Sequence, residues 1–355
     1  MNESTAWGTS CPVPITADSQ RITLAHGEGA RLTRRLITEI ILPRFTSTRK
    51  YTHQMSDAAR VTTVGCRLAV CADGHTVSPM FFPGGNLGSL SVFGTVNDLV
   101  VSGAHARWLT MSMIIEEGLP TAVLEQILDS AASAAEMCGV TIVAGDTKVV
   151  PRGHADGLFL TTSGIGEMLE PIPPGPQTIK TGDQILVSGP IGQHGIAVLC
   201  VRNGLSFDPL PQSDSRPVIR EVTALRNAVG EQIRTIRDAT RGGVSAVLQE
   251  WAQECSLTFN LRESRIPVSP EVRGASELLG LDPLYVACEG TIVAAVAAES
   301  AEIALAALRQ IPGCEQSAII GEVGPREICA VTIQRTLGRP QPLDEPAGAM
   351  LPRIC

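Results

Sequence analysis

The sequence predicts a two-domain protein of mixed α+β and α/β character, and three observations predict it. A chain of 355 residues with 44% hydrophobic composition can bury a substantial core divided between two domains. Short apolar runs of strand length alternate with stretches of helical periodicity along most of it. Between them PIPPGP, residues 171–176, breaks the pattern as a linker would. The predicted organisation is an extension over 1–20, an N-terminal domain over 21–171, an α/β domain over 172–336 and a mobile tail over 337–355.

Taken in order, ARLTRRLITEIILPRF from Ala30 has helical spacing and meets Pro43 at its end, preceded by a turn at His26-Gly27-Glu28-Gly29. VTTVGCRLAVC (61–71) reads as one strand ending near Asp73. GGNLGSLSVFGTVNDLVVSGA, Gly84 to Ala104, opens on paired glycines and continues without a strong breaker, so it reads as a helix. Inside it Asn97-Asp98 is a polar pair in an apolar surround, which needs partners or a ligand. A strand at 107–115 and a helix begun by Pro120 follow, with Val123, Leu124, Ile127, Leu128 and Ala131 on its apolar face. TIVAGDTKVV (141–150) reads as a strand interrupted at its polar centre, and GLFLTTSGIGEML (157–169) completes the first domain. Beyond the linker, Val244, Val247, Leu248 and Trp251 put a helix directly after RDATRGG, with Thr240–Gly243 at its amino end. TIVAAVAAE, SAEIALAALRQI, SAIIGEV and EICAVTI then read as strand, helix, strand and strand. The last 19 residues contain four prolines and end at Cys355; fully extended they span about 60 Å.

A net charge of −8 without a basic tract argues against a nucleic-acid partner. No apolar run approaches the roughly 18 residues of a membrane span, and the amino terminus lacks a basic region leading into an apolar segment, so the expected location is the cytoplasm without membrane insertion. Ten cysteines without a CxxC pair are expected to pack as small hydrophobes.

Asp73, Asp98 and Asp146 read as three acidic element ends converging on one site, hard oxygen donors suited to Mg²⁺ bound to phosphate; solvated turn aspartates are the alternative. With no GxxxxGK[ST] loop, phosphate must be held by several separated loops and helix starts. Lys148, two residues after Asp146 and on the same strand face, can balance phosphate charge or shuttle a proton, or be a structural ion pair. Glu289, between Cys288 and Gly290, can accept a proton or orient an amide, or be a turn carboxylate. His194 in GPIGQHG is the histidine best placed for ligand contact. Cys355 offers a compact nucleophile on a tail.

The ordered series LAHGEGARL, VSPMFFPGGNLG, GTVNDLVVSGA, IIEEG, VAGDTKVV, SGPIGQHGIAVL, RDATRGGVSAVLQE, LGLDPLYVACEG and terminal PRIC resembles the HypE family of hydrogenase-maturation proteins, over about residues 21 to 355. That family lies among the aminoimidazole ribonucleotide and selenophosphate synthetases. The resemblance implies two PurM-like domains, a homodimer through N-terminal strands, and ATP with Mg²⁺ between the domains near the subunit interface. It implies that Cys355 receives a carbamoyl group from a carbamoyltransferase partner and that ATP-dependent dehydration turns the S-carboxamide into a thiocyanate. The cyano group then passes, through an iron-bearing maturation scaffold complex, to the iron of a [NiFe]-hydrogenase. Nucleotide contacts are expected at Asp73, Asn97, Asp98, Gly145, Asp146, His194, Thr240, Arg241 and Gly242, metal at Asp73, Asp98 and Asp146, and catalysis at Cys355, Lys148 and Glu289. Ala30, Ala72, Asn86 and Cys288 depart from the family pattern; Asn86 cannot give Mg²⁺ the charge of an aspartate. The alternatives are another ATP-dependent synthase of the superfamily and a maturation scaffold with weakened nucleotide chemistry.

Overall fold

The computed structural model describes residues 31–41, 58–63, 65–336, 338–344 and 353–355, so the extension over 1–20, the turn at His26 and Pro43 lie outside the described residues. The first helix runs from Arg31 to Arg35 (α1) and widens into a π-helical turn over Leu36–Ile41. The single strand expected over 61–71 is instead a hairpin. Ala59–Thr63 (β1) pairs antiparallel with Cys66–His75 (β2), and Gly65 at φ +91° supplies the left-handed turn between them. β2 continues to His75, so Asp73 lies within a strand and not at a loop end.

Phe81–Phe82 (β3) and Gly85–Asn86 (β4) form a small hairpin that delivers the chain to the central helix, Leu87–Val101 (α2), where the sequence placed it. Asn86 is its cap: the side-chain oxygen accepts the N–H groups of Gly88 and Ser89, and the Ser89 hydroxyl accepts the Asn86 N–H. A residue read as a weakened metal ligand therefore closes a helix end. α2 is buried almost all round, which its lack of a polar stripe dictates. Ala104–Glu116 (β5), Thr121–Cys138 (α3), Thr141–Val150 (β6) and Leu158–Met168 (β7) complete a five-stranded sheet of order β1-β2-β7-β5-β6, antiparallel except between β5 and β6. β6 is continuous across its polar centre, not interrupted, because every residue from Thr110 to Glu116 pairs with it. It is also the sheet edge and exposed along nearly its whole length, including Val143 and Val149 at 56% and 67%.

The second half contains Gln184–Val187 (β8), Gln193–Arg202 (α4), Ile219–Val229 (α5), Ile233–Asp238 (β9), Gly243–Cys255 (α6), Thr258–Arg262 (β10), Pro270–Leu279 (α7), Ile292–Val296 (β11), Ala301–Arg309 (α8), Ala318–Gly324 (β12), Val331–Gln334 (β13) and Gln341–Pro342 (β14). Its seven strands stand in the order β14-β13-β10-β12-β8-β11-β9. One apolar core joins the two halves: Val96 and Leu99 of α2 belong to the same cluster as Val222 and Leu225 of α5, Ile236 of β9 and Val296 of β11. The stretch expected to be a mobile tail is held at both of its described parts. β14 pairs with β13, the buried Leu343 donates its N–H to Val331, and residues 353–355 dock near the end of β2. Among the described residues no helix is long and apolar enough to cross a membrane.

α2 crosses α3 so closely that a Cβ on Gly88 would stand 1.9 Å from the Ile127 carbonyl oxygen. Gly88→Ala is expected to cost about 3 kcal/mol or more in denaturant unfolding, since backbone and not a side chain must give way.

Candidate functional site

Two of the three predicted aspartates meet. Asp73 projects from β2 and Asp98 from α2, and with the Cys71 sulfur their ligand atoms lie within 4.8 Å of one another. Asp73 and Cys71 share a face because they are two residues apart on a strand. The third does not join them. Gly145 is level with Asp73 across the sheet but three strands away, about 14 Å at ordinary strand spacing, and Asp146 follows it on the exposed edge. There Lys148 donates to both Asp146 oxygens, at 2.7 and 2.6 Å, and holds that carboxyl below the usual range. The convergence of three acidic element ends is thus corrected to a pair, and within one chain Lys148 is the surface ion pair. Gly145 has a packing role, since a Cβ there would meet the Met111 carbonyl oxygen at 2.3 Å.

The sequence of β9 and the loops after it complete the acidic site. Asp238 ends β9 and is buried, and burial raises its carboxyl to about 6 against the partial relief of Arg237. Glu289 is buried too. Burial first, then the charges of Asp238 and Asp214, push its carboxyl well above the ordinary value, and its Oε1 has no hydrogen-bond partner among the described residues. Asp214 accepts the N–H groups of Glu289 and Gly290, at 3.0 and 3.1 Å, and so fixes the loop that carries Glu289. A Cβ on Gly290 would overlap the Asp214 carbonyl oxygen at 1.8 Å. Cys288 ties the same loop to the next by accepting the Gly192 N–H at 3.1 Å.

Thr240, Arg241 and Gly242 precede α6, whose 13 residues begin at Gly243. The Arg241 guanidinium is near enough to favour ionised Glu289 and to disfavour a protonated His75. A helix amino terminus beside an arginine and several buried carboxylates can hold a polyanion only together with a cation. The donor set fits one: Asp73 and Asp98 offer hard oxygens within reach of one another, and Asp238 is near enough for its charge to be felt with that of Asp73.

Two other predicted nucleotide contacts have different work. Asn97 donates to the carbonyls of Arg216 and Glu289, at 3.0 and 3.2 Å, and accepts the Val218 N–H at 2.9 Å, so its amide ties α2 to the second half. His194 holds the chain end: Nε2 donates to the Ile354 carbonyl and Nδ1 accepts from Ser213, both at 2.8 Å, while burial holds the ring neutral. The end lies as an added antiparallel segment. Thr76 N–H meets the Cys355 carbonyl at 3.0 Å, and Ser78 N–H meets that of Arg353 at 3.3 Å, which also accepts from Arg202 at 2.6 Å. Arg353, at φ +57°, returns Nε to the Thr76 carbonyl at 3.0 Å and Nη1 to Asp156 at 2.5 Å. Thr76 is three residues beyond Asp73, which sets Cys355 on the order of 10 Å from that carboxylate. Asp214, Asp238, Thr76 and Arg202 were not foreseen as site residues. Asp238 lies inside RDATRGG, where a carboxylate before a glycine-rich helix start was a legible signal; the others had none.

A profile described as AIR synthase related protein, N-terminal domain, matches residues 55–168, and its C-terminal counterpart matches 180–334. The carbamoyl dehydratase HypE of Cupriavidus necator is 43% identical over 343 residues, 96% of this chain and 97% of that protein. The Escherichia coli protein of the same name is 42% identical, over 94% and 99%. Among solved structures, a HypE–HypF complex superposes with TM-score 0.81 at 40% identity, covering 88% of this chain and 99% of the other. A HypE structure in complex with ATP gives 0.78 at 42% identity, covering 94% and 100%.

Asp238 provides a test of the buried charge. Its folded value lies above the ordinary 3.8, so the stabilisation from its neutral form is complete below about 3.8 and is lost as pH rises through about 6. Asp238→Asn is expected to stabilise the metal-free protein by about 2–3 kcal/mol at pH 7, with the gain shrinking on acidification to pH 5, as read by denaturant unfolding.

Proposed function

The chain belongs to the HypE family of carbamoyl dehydratases, among the AIR synthase related proteins, and on that premise we propose that it performs the ATP-dependent dehydration step of hydrogenase maturation on its own Cys355. The observation that carries this reading is the seat of the chain end: the carbonyls of Arg353, Ile354 and Cys355 are bound residue by residue just beyond the strand that carries Asp73.

The substrate is the S-carboxamide of Cys355. Its oxygen takes the γ-phosphoryl group of ATP, releasing ADP; loss of phosphate from carbon and of the nitrogen's protons then leaves C≡N on sulfur. Thr76, His194 and Arg202 hold the peptide through its carbonyl groups and so fix the backbone that carries the terminal sulfur. Arg241 and the amino end of α6 meet phosphate, with Thr240 and Gly242 at that turn. Asp73 and Asp98 are the residues that would hold Mg²⁺, with the charge of Asp238 close by, and the ion when bound would offset triphosphate charge. Glu289 exchanges the amide proton at Oε1; a carboxyl raised by burial is a stronger base once ionised than a solvated one.

Three further features belong to the same reading. A homodimer forms through the exposed edge of β6, and only across such an interface do Asp146 and Lys148 reach a nucleotide. On this reading a carbamoyltransferase loads Cys355, in keeping with a neighbour solved as a HypE–HypF complex, and an iron-bearing maturation scaffold takes the cyano group. The setting is the cytoplasm. Identity above 40% to carbamoyl dehydratases disfavours a free small-molecule substrate; thiamine monophosphate kinase, at 18% identity and TM-score 0.61, shares the fold alone.

Intact-protein mass spectrometry after carbamoylation should show loss of one water from the terminal peptide with Mg-ATP and none without it. Cys355→Ala should leave nothing to modify. Glu289→Gln should slow dehydration by about 10²–10⁴ while the tail still accepts carbamoyl; wild-type dehydration kinetics in that variant would remove Glu289 from the reaction. Val143→Glu on β6 should convert dimer to monomer in sedimentation, and an unchanged dimer would exclude that edge as the interface.

A further inference from the structure

Asp73 does not stand alone on its strand. Its Oδ2 receives the Thr95 hydroxyl at 2.7 Å, Thr95 and Thr162 hydroxyl oxygens are 2.5 Å apart, and His75 Nε2 lies 3.1 Å from the Thr162 oxygen. Thr95, Thr162 and His75 are buried, and the four residues come from β2, α2 and β7. Each hydroxyl has one proton to give, and an ionised carboxylate can only accept. With the Thr95 proton committed to Asp73, the short contact between the hydroxyls requires the Thr162 proton. The Thr162 oxygen must then accept from His75, so the imidazole is the Nε2–H tautomer, leaving its buried Nδ1 without a partner, as found. The competing acceptor for Thr162 is the Ser91 carbonyl, at 3.3 Å; a proton turned that way would leave the hydroxyl contact to the Thr95 proton and strip Asp73 of its donor.

We propose that this one-way chain, His75 to Thr162 to Thr95 to Asp73, is a positioning relay that fixes Asp73 for a divalent cation, with Thr95 as its decisive member. The inference rests on the reading of Asp73 and Asp98 as cation ligands and deepens it. Thr95 and Asp98 are three residues apart on α2 and so share a helix face. The same helix face therefore supplies one carboxylate and locks the orientation of the other, leaving Asp73 Oδ1 to face the ligand. Partners that orient a ligating carboxylate typically change metal affinity by about 10–100-fold when removed.

The probe is Mn²⁺ alone, titrated into full-length protein and followed by the electron paramagnetic resonance of the free ion, with no nucleotide or turnover involved. Thr95→Val should weaken Mn²⁺ binding by about 10-fold or more, Thr95→Ser should restore it, and Thr162→Val should fall between. In ¹⁵N-histidine NMR of the wild-type protein, His75 should show the Nε2–H tautomer, and Thr162→Val should abolish that preference. Unchanged Mn²⁺ affinity in Thr95→Val, or an Nδ1–H tautomer at His75 in the wild type, overturns the relay. If the wild type binds no Mn²⁺, the relay's positioning role falls together with the cation reading, whereas loss of dehydration with intact Mn²⁺ binding would strike only the catalytic proposal. Should Thr95→Val not fold, Thr95→Ser, Thr162→Val and the wild-type tautomer still decide the question.

Discussion

The amide of Asn97 is the constraint on which the rest of the molecule depends. It sits in the middle of a helix buried on nearly every side, where an unsatisfied amide would cost about 1–3 kcal/mol for each lost partner. All of its partners lie in the other half of the chain, at Arg216, Val218 and Glu289. The helix that carries Asp98 and Thr95 is thereby held in register with the loop that carries Glu289. A shared apolar core presses the halves together, but that core is non-directional; the amide decides where they stop.

What they enclose is unfavourable in isolation. Asp238 and Glu289 are both buried and both raised, and Asp214 spends its oxygens on backbone N–H groups. Arg241 is the cation that relieves Glu289, and it also disfavours charge on His75. Folding thus assembles a region of surplus negative charge, and the stability given up there is available as affinity for a cation and the phosphates it accompanies.

The helix in the stretch from Gly84 was legible because small and apolar residues continue after the paired glycines without a breaker, and β5 and β7 because alternating or continuous apolar runs of that length are strands. The hairpin at Gly65 was not, since VTTVGCRLAVC keeps strand composition through the turn and only the positive φ of one glycine reverses it. Asp146 looked like Asp73 in sequence, a carboxylate after an apolar run; only sheet order places it on a far edge. Conversely, Asp214 lies in a polar, proline-flanked stretch without periodicity, and nothing local marks it as the clasp for the Glu289 loop. Asn97 stood out as a polar group that needed partners, and its partners here are backbone groups, whereas His194, read as a ligand contact, meets the Ser213 hydroxyl and the Ile354 carbonyl.

The chain end gives the proposed chemistry an unusual concentration dependence. The chain is fixed at Asp344 by Tyr285 and again at Arg353, so the reacting residue is presented by the same chain that forms its seat. A reacting group carried on the chain that binds it meets its pocket at an effective molarity on the order of millimolar. For a reaction within one chain, occupancy of the pocket by the reacting group is indifferent to how dilute the protein becomes, and each molecule is limited to a single event until another protein unloads it.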